Sequence, residues 1–221
     1  MQIFYYYAPL IITILGISLG LVGYYLDIIC PVNCRGLLWM GITFILALGG
    51  LIIGVLIKKL SISSHTDFLT GLRNRRYFHS KLNKEEARAA RNKTSLCIAM
   101  IDVDNFKTIN DNHGHIVGDK IISDLAGILK KNTRSTDIVA RWGGDEFAII
   151  FSETSLTDAY EIIERIRHKI EARYRSSYGL TISAGIIELE PDQDLKELLT
   201  KADQALYKAK AEKNSVIKVN S

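Results

Sequence analysis

The chain has 221 residues, a length that suits one globular domain with an additional segment and is short for two full domains. Its 28 lysines and arginines nearly balance its 24 aspartates and glutamates, which excludes the clustered basic excess that nucleic-acid-binding proteins use against a phosphate backbone. Three cysteines are too few to build a disulfide scaffold.

The N-terminal part is almost free of charge, with Asp27 and Arg35 as the only charged side chains before Lys58. It contains two apolar runs, residues 3–26 and 37–57, each long enough to cross a hydrocarbon core of about 30 Å. A cleaved signal peptide is the alternative for the first run, but this run lacks a basic n-region and exceeds the usual length of an apolar h-region. We therefore expect residues 1–60 to form a membrane anchor of two transmembrane helices, with the lipid bilayer as a partner.

The charges beside these runs predict their orientation. Lys58 and Lys59 follow the second run directly, and basic residues favour the cytoplasmic side of a membrane. This bias predicts a multi-pass protein of the cell membrane whose C-terminal domain lies in the cytoplasm. The loop between the runs would then face the oxidising side, where Cys30 and Cys34 either form a small disulfide or remain two thiols.

From about residue 61 the sequence alternates helical and strand patterns, which predicts one α/β domain of the α+β kind over residues 61–221. Asn74 is a typical N-cap for a polar helix that runs to about Asn92. Residues 96–103 are apolar on both faces, as in a central strand that is covered from both sides.

The remaining elements follow from hydrophobic spacing and turn residues. Residues 137–142 and 146–151 predict two short strands joined at a Gly-Gly-Asp tip, which is typical of a hairpin. Helices are predicted over 117–131, 156–170 and 195–210, a strand or bent strand pair over 178–189, and a last strand over 216–219. The sum is a strand-centred sheet flanked by helices.

Acidic side chains close two of these strands. Asp102 and Asp104 end the buried strand, and Asp145 and Glu146 stand beside two glycines at the hairpin tip. Carboxylates at the end of an apolar strand are costly unless they are solvated, paired or bound to a cation. Mg²⁺ commonly takes one or two carboxylates together with substrate phosphates. The alternative is a simple Gly-Gly turn with solvated acids.

Residues 141–147 read Arg-Trp-Gly-Gly-Asp-Glu-Phe and resemble the signature of the GGDEF domains, the diguanylate cyclases that condense two GTP into cyclic di-GMP. Accompanying motifs of that family follow in the family's order, at residues 67–76, 102–111, 114–119 and 202–210. The resemblance covers about residues 66–219. It implies a central, largely antiparallel sheet flanked by helices, a fold that is nucleotidyl-cyclase-like.

The resemblance also implies roles for the acidic strand ends. Asp102 and Asp145 would hold Mg²⁺, or Mn²⁺ as the alternative, through their side chains, and Val103 would do so through its carbonyl. Asp145 would in addition accept the proton of the attacking hydroxyl. Lys107 would stabilise charge on the phosphates, and Glu146 would support the metal site or contact the nucleotide.

Six residues are implied to bind the substrate. An amide and a carboxylate can together satisfy the donor and acceptor edge of guanine, whereas a lysine serves as a point charge for phosphate. The set consists of Asn110 and Asp119 for guanine, Phe106, His115 and Gly144 in the nucleotide pocket, and Lys210 on the terminal phosphate.

Two further segments resemble the family pattern to different degrees. Arg134 and Asp137 match an Arg-x-x-Asp site that binds cyclic di-GMP and inhibits the enzyme; the alternative is an ordinary surface pair. The usual Ala-Lys-x-x-Gly-Arg-Asn becomes Ala-Lys-Ala-Glu-Lys-Asn over residues 209–214, one residue short and without the glycine. Lys213 is therefore a weaker candidate for a phosphate contact than Lys210.

The sequence thus predicts a Mg²⁺-dependent diguanylate cyclase, tethered to the bacterial inner membrane, that acts as a homodimer because each domain would hold one GTP. A catalytically silent membrane-bound receptor for cyclic di-GMP is the alternative from another class. A related cyclase with relaxed base choice is a third possibility, against which Asp119 favours guanine.

Overall fold

A computed structural model of the protein describes residues 2–29, 35–63, 65–190 and 193–219. The chain divides into two compact units, Met1–Ser63 and Ser64–Ser221. Cys30 and Cys34 lie outside the described residues, so the disulfide considered between them falls outside the described part of the chain.

The first unit consists of two long helices, α1 (Gln2–Ile29) and α2 (Arg35–Ser63). Trp39 Nε1 of α2 donates a hydrogen bond to Asp27 Oδ1 of α1 over 3.1 Å. The two helices approach closely at Gly23, where an added Cβ would stand 2.7 Å from Ile42 Cδ1. Several large apolar side chains of both helices remain exposed, among them Leu21 and Phe44.

The predicted membrane location is wrong, because the described helices do not meet the requirement for crossing a bilayer. Crossing a hydrocarbon core of about 30 Å takes about 20 consecutive, mainly apolar residues in one helix. Over the part of the chain that the structure describes, no helix meets that requirement of length and apolarity. The transmembrane helices expected at residues 3–26 and 37–57, the multi-pass inner-membrane location and the lipid partner rested on those runs and are withdrawn.

The second unit alternates strands and helices around one sheet. Its strands are β1 (Arg73–Asn74), β2 (Leu96–Val103), β3 (Ile138–Arg141), β4 (Glu146–Ser152), β5 (Ile182–Glu188) and β6 (Val216–Val219). Its helices are α3 (Arg75–Asn92), α4 (Phe106–His113), α5 (His115–Asn132), α6 (Leu156–Tyr174) and α7 (Leu195–Glu212).

The six strands form a mixed sheet in the order β1-β3-β4-β2-β5-β6. The central pairings, β3 with β4, β4 with β2, and β2 with β5, are antiparallel, whereas the outer strands β1 and β6 pair in parallel with their neighbours. The expectation of a largely antiparallel sheet therefore holds for the centre and fails at both edges.

Helices cover both faces of the sheet, and β2 lies between them with all eight residues buried. One face packs against α5 and α6 through side chains such as Leu125 and Ile166, and the other against α3 and α7 through Phe78 and Leu198. A strand that is buried on both faces needs apolar side chains in both alternating sets, which is why 96–103 reads as a continuous apolar run.

Most predicted elements are present, and the differences are local. Asn74 caps α3 as expected, since its side chain accepts a hydrogen bond from Tyr77 N. Two elements were missed. The strand β1 has only two residues, and α4 is polar apart from Phe106 and Ile109, so neither shows a clear hydrophobic period.

Candidate active site

The two acidic strand ends are neighbours in the sheet. Asp102 on β2 lies opposite Glu146 on β4, and Val103 N donates a hydrogen bond to Asp145 O over 3.3 Å. Directly opposed residues of an antiparallel pair point to the same face with Cβ atoms about 5 Å apart. The register therefore brings Asp102, Asp145 and Glu146 to one end of the sheet.

Lys210 supplies the positive charge at this end. Its Nζ donates to Asp102 Oδ2 over 2.8 Å, and the Asp102 side chain is only 5% exposed. Burial raises the pKa of Asp102; the Lys210 hydrogen bond opposes that effect, while the charges of Asp145 and Glu146 add to it. The end of β2 thus gathers the carboxylates of Asp102, Asp145 and Glu146 around one ammonium group.

The donor set suits a hard cation. Asp102 and Asp145 offer carboxylate oxygens and Val103 a carbonyl oxygen, which are the ligand types that Mg²⁺ and Mn²⁺ accept. Within the described residues, no group of three His, Cys, Asp or Glu side chains converges into a complete metal cage. A site with two carboxylates fits an ion that takes its remaining ligands from water and substrate phosphates.

A second network fixes the hairpin tip. Arg141 donates from Nε and Nη2 to Gly144 O, over 3.0 and 2.8 Å, and from Nη1 to Asp67 Oδ1 over 3.1 Å. Asp67 also accepts hydrogen bonds from the backbone and hydroxyl of Thr70. Burial alone would raise the pKa of Asp67, but the hydrogen bonds from Thr70 and Arg141 outweigh it and lower the pKa.

Gly143 lies beside this network, at a position where a side chain would crowd the Glu146 carboxylate. A Cβ on Gly143 would stand 3.0 Å from Glu146 Oε2, and the backbone N–H groups of Trp142 and Gly143 both point to Glu146 O. The tip therefore leaves little space between its backbone and the Glu146 carboxylate.

The helices α4 and α5 form a polar corner directly after β2. They meet at Gly114, which has a φ of 82° that side-chain-bearing residues rarely adopt. The Asn110 side chain points towards α5, where a Cβ on Gly118 would overlap its Oδ1 and lie 3.1 Å from the Phe106 ring. Asn110 Oδ1 is buried without a hydrogen-bond partner, so this corner contains an unsatisfied acceptor.

The remaining sequence candidates of this region are on the surface. Lys107, His115 and Asp119 are exposed on the same two helices. Lys213 follows α7, and its Nζ donates to Asn105 Oδ1 over 3.0 Å. Exposure leaves these side chains accessible to a ligand that binds over the corner.

Residues 64–215 match the family model described as diguanylate cyclase, GGDEF domain. The chain belongs to this GGDEF family. It is 41% identical over 149 residues to the diguanylate cyclase DgcP of Pseudomonas aeruginosa, a match that covers 66% of this chain and 22% of DgcP. It is 39% identical over 160 residues to the response regulator PleD of Caulobacter vibrioides, covering 69% of this chain and 35% of PleD. The chain thus spans about a quarter to a third of these relatives.

Solved GGDEF structures share the fold. The GGDEF domain of DgcB from Caulobacter crescentus, in complex with c-di-GMP, superposes with a TM-score of 0.67 at 33% identity, covering 71% of this chain and 94% of that domain. The active GGEEF domain of a diguanylate cyclase from Vibrio cholerae gives a TM-score of 0.64 at 32% identity, covering 67% of this chain and 97% of that one.

The Arg134 and Asp137 pair of this GGDEF domain lies in a separate cleft of about 670 Å³ beside β1 and β3. Asp137 Oδ2 accepts a hydrogen bond from Arg134 N over 2.8 Å, whereas Asp137 Oδ1 is buried without a partner. Burial raises the pKa of Asp137, against the opposing influence of Arg134. The arrangement differs from a surface ion pair, because the Arg134 side chain is exposed and not bonded to the carboxylate that it flanks.

Two contacts near the candidate site were not predicted from the sequence. The contact between Arg141 and Asp67 joins residues 74 positions apart, and nothing local signals it. Asp104 was noted as an acid at the strand end, but its burial and its partners on β5 and after α7 appear only in the fold.

Proposed function

We propose that this protein is a diguanylate cyclase that joins two GTP molecules into cyclic di-GMP and releases two pyrophosphates. The observation that carries the proposal is the acidic end of β2 and β4, where Asp102 and Asp145 stand beside the Lys210 ammonium group. Membership of the GGDEF family supports the same reaction.

Asp102, the Val103 carbonyl and Asp145 would hold the divalent cation, Mg²⁺ or Mn²⁺. When bound, the ion neutralises charge on the phosphates, which is the main requirement of phosphoryl transfer. Lys210 and Lys107 add point charges for the phosphates. The Asp102 carboxylate would exchange part of its contact with Lys210 for the ion, which frees the ammonium group for the terminal phosphate.

Guanine recognition is assigned to the corner of α4 and α5. The unpartnered Asn110 Oδ1 can accept a hydrogen bond from a guanine N–H, and the exposed Asp119 carboxylate can accept from others. Phe106 and His115 flank this corner, and Gly144 and Glu146 face the nucleotide from the hairpin tip. Specificity for guanine then follows from acceptors that adenine would leave unsatisfied.

In the reaction, the 3′-oxygen of one GTP forms a bond to the α-phosphorus of the second, and the bond from that phosphorus to the pyrophosphate oxygen breaks. The Asp145 carboxylate accepts the hydroxyl proton. The same step with the roles of the two nucleotides exchanged forms the second phosphodiester bond, releases the second pyrophosphate and closes the cyclic dinucleotide. Since each domain presents one nucleotide corner, two copies must face each other, and we propose a homodimer as the active form.

The cleft at Arg134 and Asp137 is proposed as a product site. The buried Asp137 Oδ1 lacks a donor, and guanine offers N–H donors; the exposed Arg134 guanidinium can pair with phosphate or with the guanine edge. Binding of cyclic di-GMP there would inhibit synthesis.

Turnover of GTP by the full chain with Mg²⁺ tests the proposal. A cyclase releases cyclic di-GMP and pyrophosphate in a ratio of about one to two, as the reaction stoichiometry demands. A silent receptor would bind cyclic di-GMP and release neither product. Added cyclic di-GMP should inhibit the wild-type protein, and Arg134→Ala should weaken that inhibition while leaving the initial rate unchanged.

A further inference from the structure

The turn that follows α7 has a backbone that is unusual for its residues. Lys213 and Asn214 have φ values of 56° and 47°, in the left-handed region that favours glycine. Lys213 N closes the helix by donating to Ala209 O over 2.8 Å. Two consecutive residues with side chains stay in this region only when surrounding contacts hold them there.

Asp104 supplies those contacts from the end of β2. It is 4% exposed, and its Oδ2 accepts hydrogen bonds from Asn214 N over 2.9 Å and from Thr181 Oγ1 over 2.6 Å. Its Oδ1 accepts from Ser183 Oγ over 2.7 Å. One buried carboxylate thus joins β2, β5 and the turn after α7.

The same turn is held from the other side by α6. Arg167 Nη1 donates to Asn214 Oδ1 over 2.8 Å, while the rest of its guanidinium is engaged by Glu164. Lys213 Nζ in turn reaches Asn105 Oδ1, next to Asp104 in the chain. The turn therefore has anchors at its backbone and at both of its side chains.

The turn lies directly after the helix end that carries Lys210, and Lys213 is part of it. Lys210 lies in the last turn of α7, and Asp102 lies two residues before Asp104 on β2. Asp104 thus ties the turn after the helix that carries Lys210 to the end of the strand that carries Asp102. The backbone contact of the turn with the end of β2 is the hydrogen bond from Asn214 N to Asp104 Oδ2.

We propose that Asp104 is a positioning residue for phosphate binding: it does not touch the nucleotide, but it sets the places of Lys210 and Lys213 against Asp102. The proposal rests on the proposed cyclase function. The turn lacks the glycine of the family pattern, which would adopt these φ values freely. In this chain the buried Asp104 carboxylate holds the turn by hydrogen bonds instead.

The chemistry predicts which substitutions are tolerated. In Asp104→Asn the amide oxygen can take the place of Oδ2 and keep the bond from Asn214 N. The amide nitrogen then donates to Ser183 Oγ, whose own proton can turn to Ala209 O, 3.3 Å away. Asp104→Ala removes the carboxylate acceptor. The N–H of Asn214 and the hydroxyl groups of Thr181 and Ser183 then lose the hydrogen bonds that they make to it.

The test measures, by NMR titration in the presence of Mg²⁺, how tightly the full chain binds two nucleotides. The first is a non-hydrolysable GTP analogue with an α,β-methylene bridge, and the second is GMP. Asp104→Ala should weaken binding of the analogue about tenfold, the effect of one lost charge-assisted contact, and binding of GMP less than about twofold. Asp104→Asn should restore the wild-type preference for the triphosphate. A structural role alone would weaken both nucleotides alike.

Asp124→Ala is the matched control. Asp124 also joins two elements, since it accepts a hydrogen bond from Tyr174 Oη over 2.6 Å, but it lies on α5 away from the turn. It should lower the melting temperature without changing the preference between the two nucleotides. If Asp124→Ala alters that preference as Asp104→Ala does, the positioning role is overturned.

Thr181→Val decides the matter if Asp104→Ala does not fold. It removes one hydroxyl donor to Asp104 at nearly constant volume, and the preference for the triphosphate should fall about twofold to threefold. An unchanged preference would overturn the positioning role. A wild-type protein that binds neither nucleotide would instead overturn the proposed function, which separates the two failures.

Discussion

Replacement of Arg141 by lysine tests whether the hairpin tip must be held for catalysis. The guanidinium spans two acceptors, the Gly144 carbonyl and the Asp67 carboxylate, with its Nε, Nη1 and Nη2 groups. A lysine ammonium is a single point and can reach one of these acceptors at a time. Arg141→Lys keeps the charge and loses the bridge.

The expected size of the effect follows from the contacts. Arg141 and Asp67 are each 16% exposed, so their pairing is screened less than that of a surface ion pair. Hydrogen bonds to charged groups contribute about 1.5–3 kcal/mol each, and partial exposure reduces this figure. We expect Arg141→Lys to lower the free energy of unfolding by about 2 kcal/mol. Because Gly144 precedes Asp145, we also expect kcat to fall about tenfold, equivalent to about 1.4 kcal/mol.

Denaturant unfolding and steady-state cyclic di-GMP synthesis measure the two quantities. Arg88→Lys is the control, since Arg88 pairs with Glu153 over 2.7 Å while both side chains are about half exposed. That substitution should cost less than about 0.5 kcal/mol and leave kcat unchanged. An Arg141→Lys protein with the kcat and stability of Arg88→Lys would refute the role of the bridge.

Three further results are expected. Gly185→Ala should lower the free energy of unfolding by about 3 kcal/mol in a chemical denaturation experiment, because its Cβ would stand 2.6 Å from Ala202 O of α7. Gly118→Ala should raise the KM for GTP about tenfold with little loss of stability, because its Cβ displaces the Asn110 amide while alanine favours the helix by about 1 kcal/mol. The lowered pKa of Asp67 means that its stabilisation is present above the ordinary pKa of 3.8 and is lost as the pH falls through the folded-state pKa. The stability difference between wild type and Asp67→Asn should therefore shrink in acid; a constant difference would contradict this assignment.

The sequence predicts those parts of the fold whose signal is local. The strand over residues 96–103 is present with the same bounds, because burial on both faces leaves an uninterrupted apolar run. Asn74 caps a helix because its side chain meets a backbone N–H three residues later. The hairpin at residues 143–146 follows from its two glycines.

Long-range contacts and polar elements were not predictable in this way. The helix α4 buries Ile109 and otherwise presents polar residues, so its period is weak. The partners of Arg141 and of Asp104 are separated from them by 74 and by 77 to 110 residues along the chain. Hydropathy of the N-terminal runs predicted spans that the described helices do not bear out, because composition alone does not define a helix that crosses a bilayer.

The proposed cyclase activity is tested most directly by the rate of cyclic di-GMP synthesis by Asp145→Asn, measured beside the wild-type chain at equal folded concentration. The substitution keeps the size of the side chain and removes the charge that would hold the divalent cation and accept the proton. We predict that the wild-type protein converts GTP to cyclic di-GMP and pyrophosphate and that Asp145→Asn loses at least about a thousandfold in kcat, or about 4 kcal/mol, with an unchanged melting temperature. Synthesis by Asp145→Asn at the wild-type rate would contradict it.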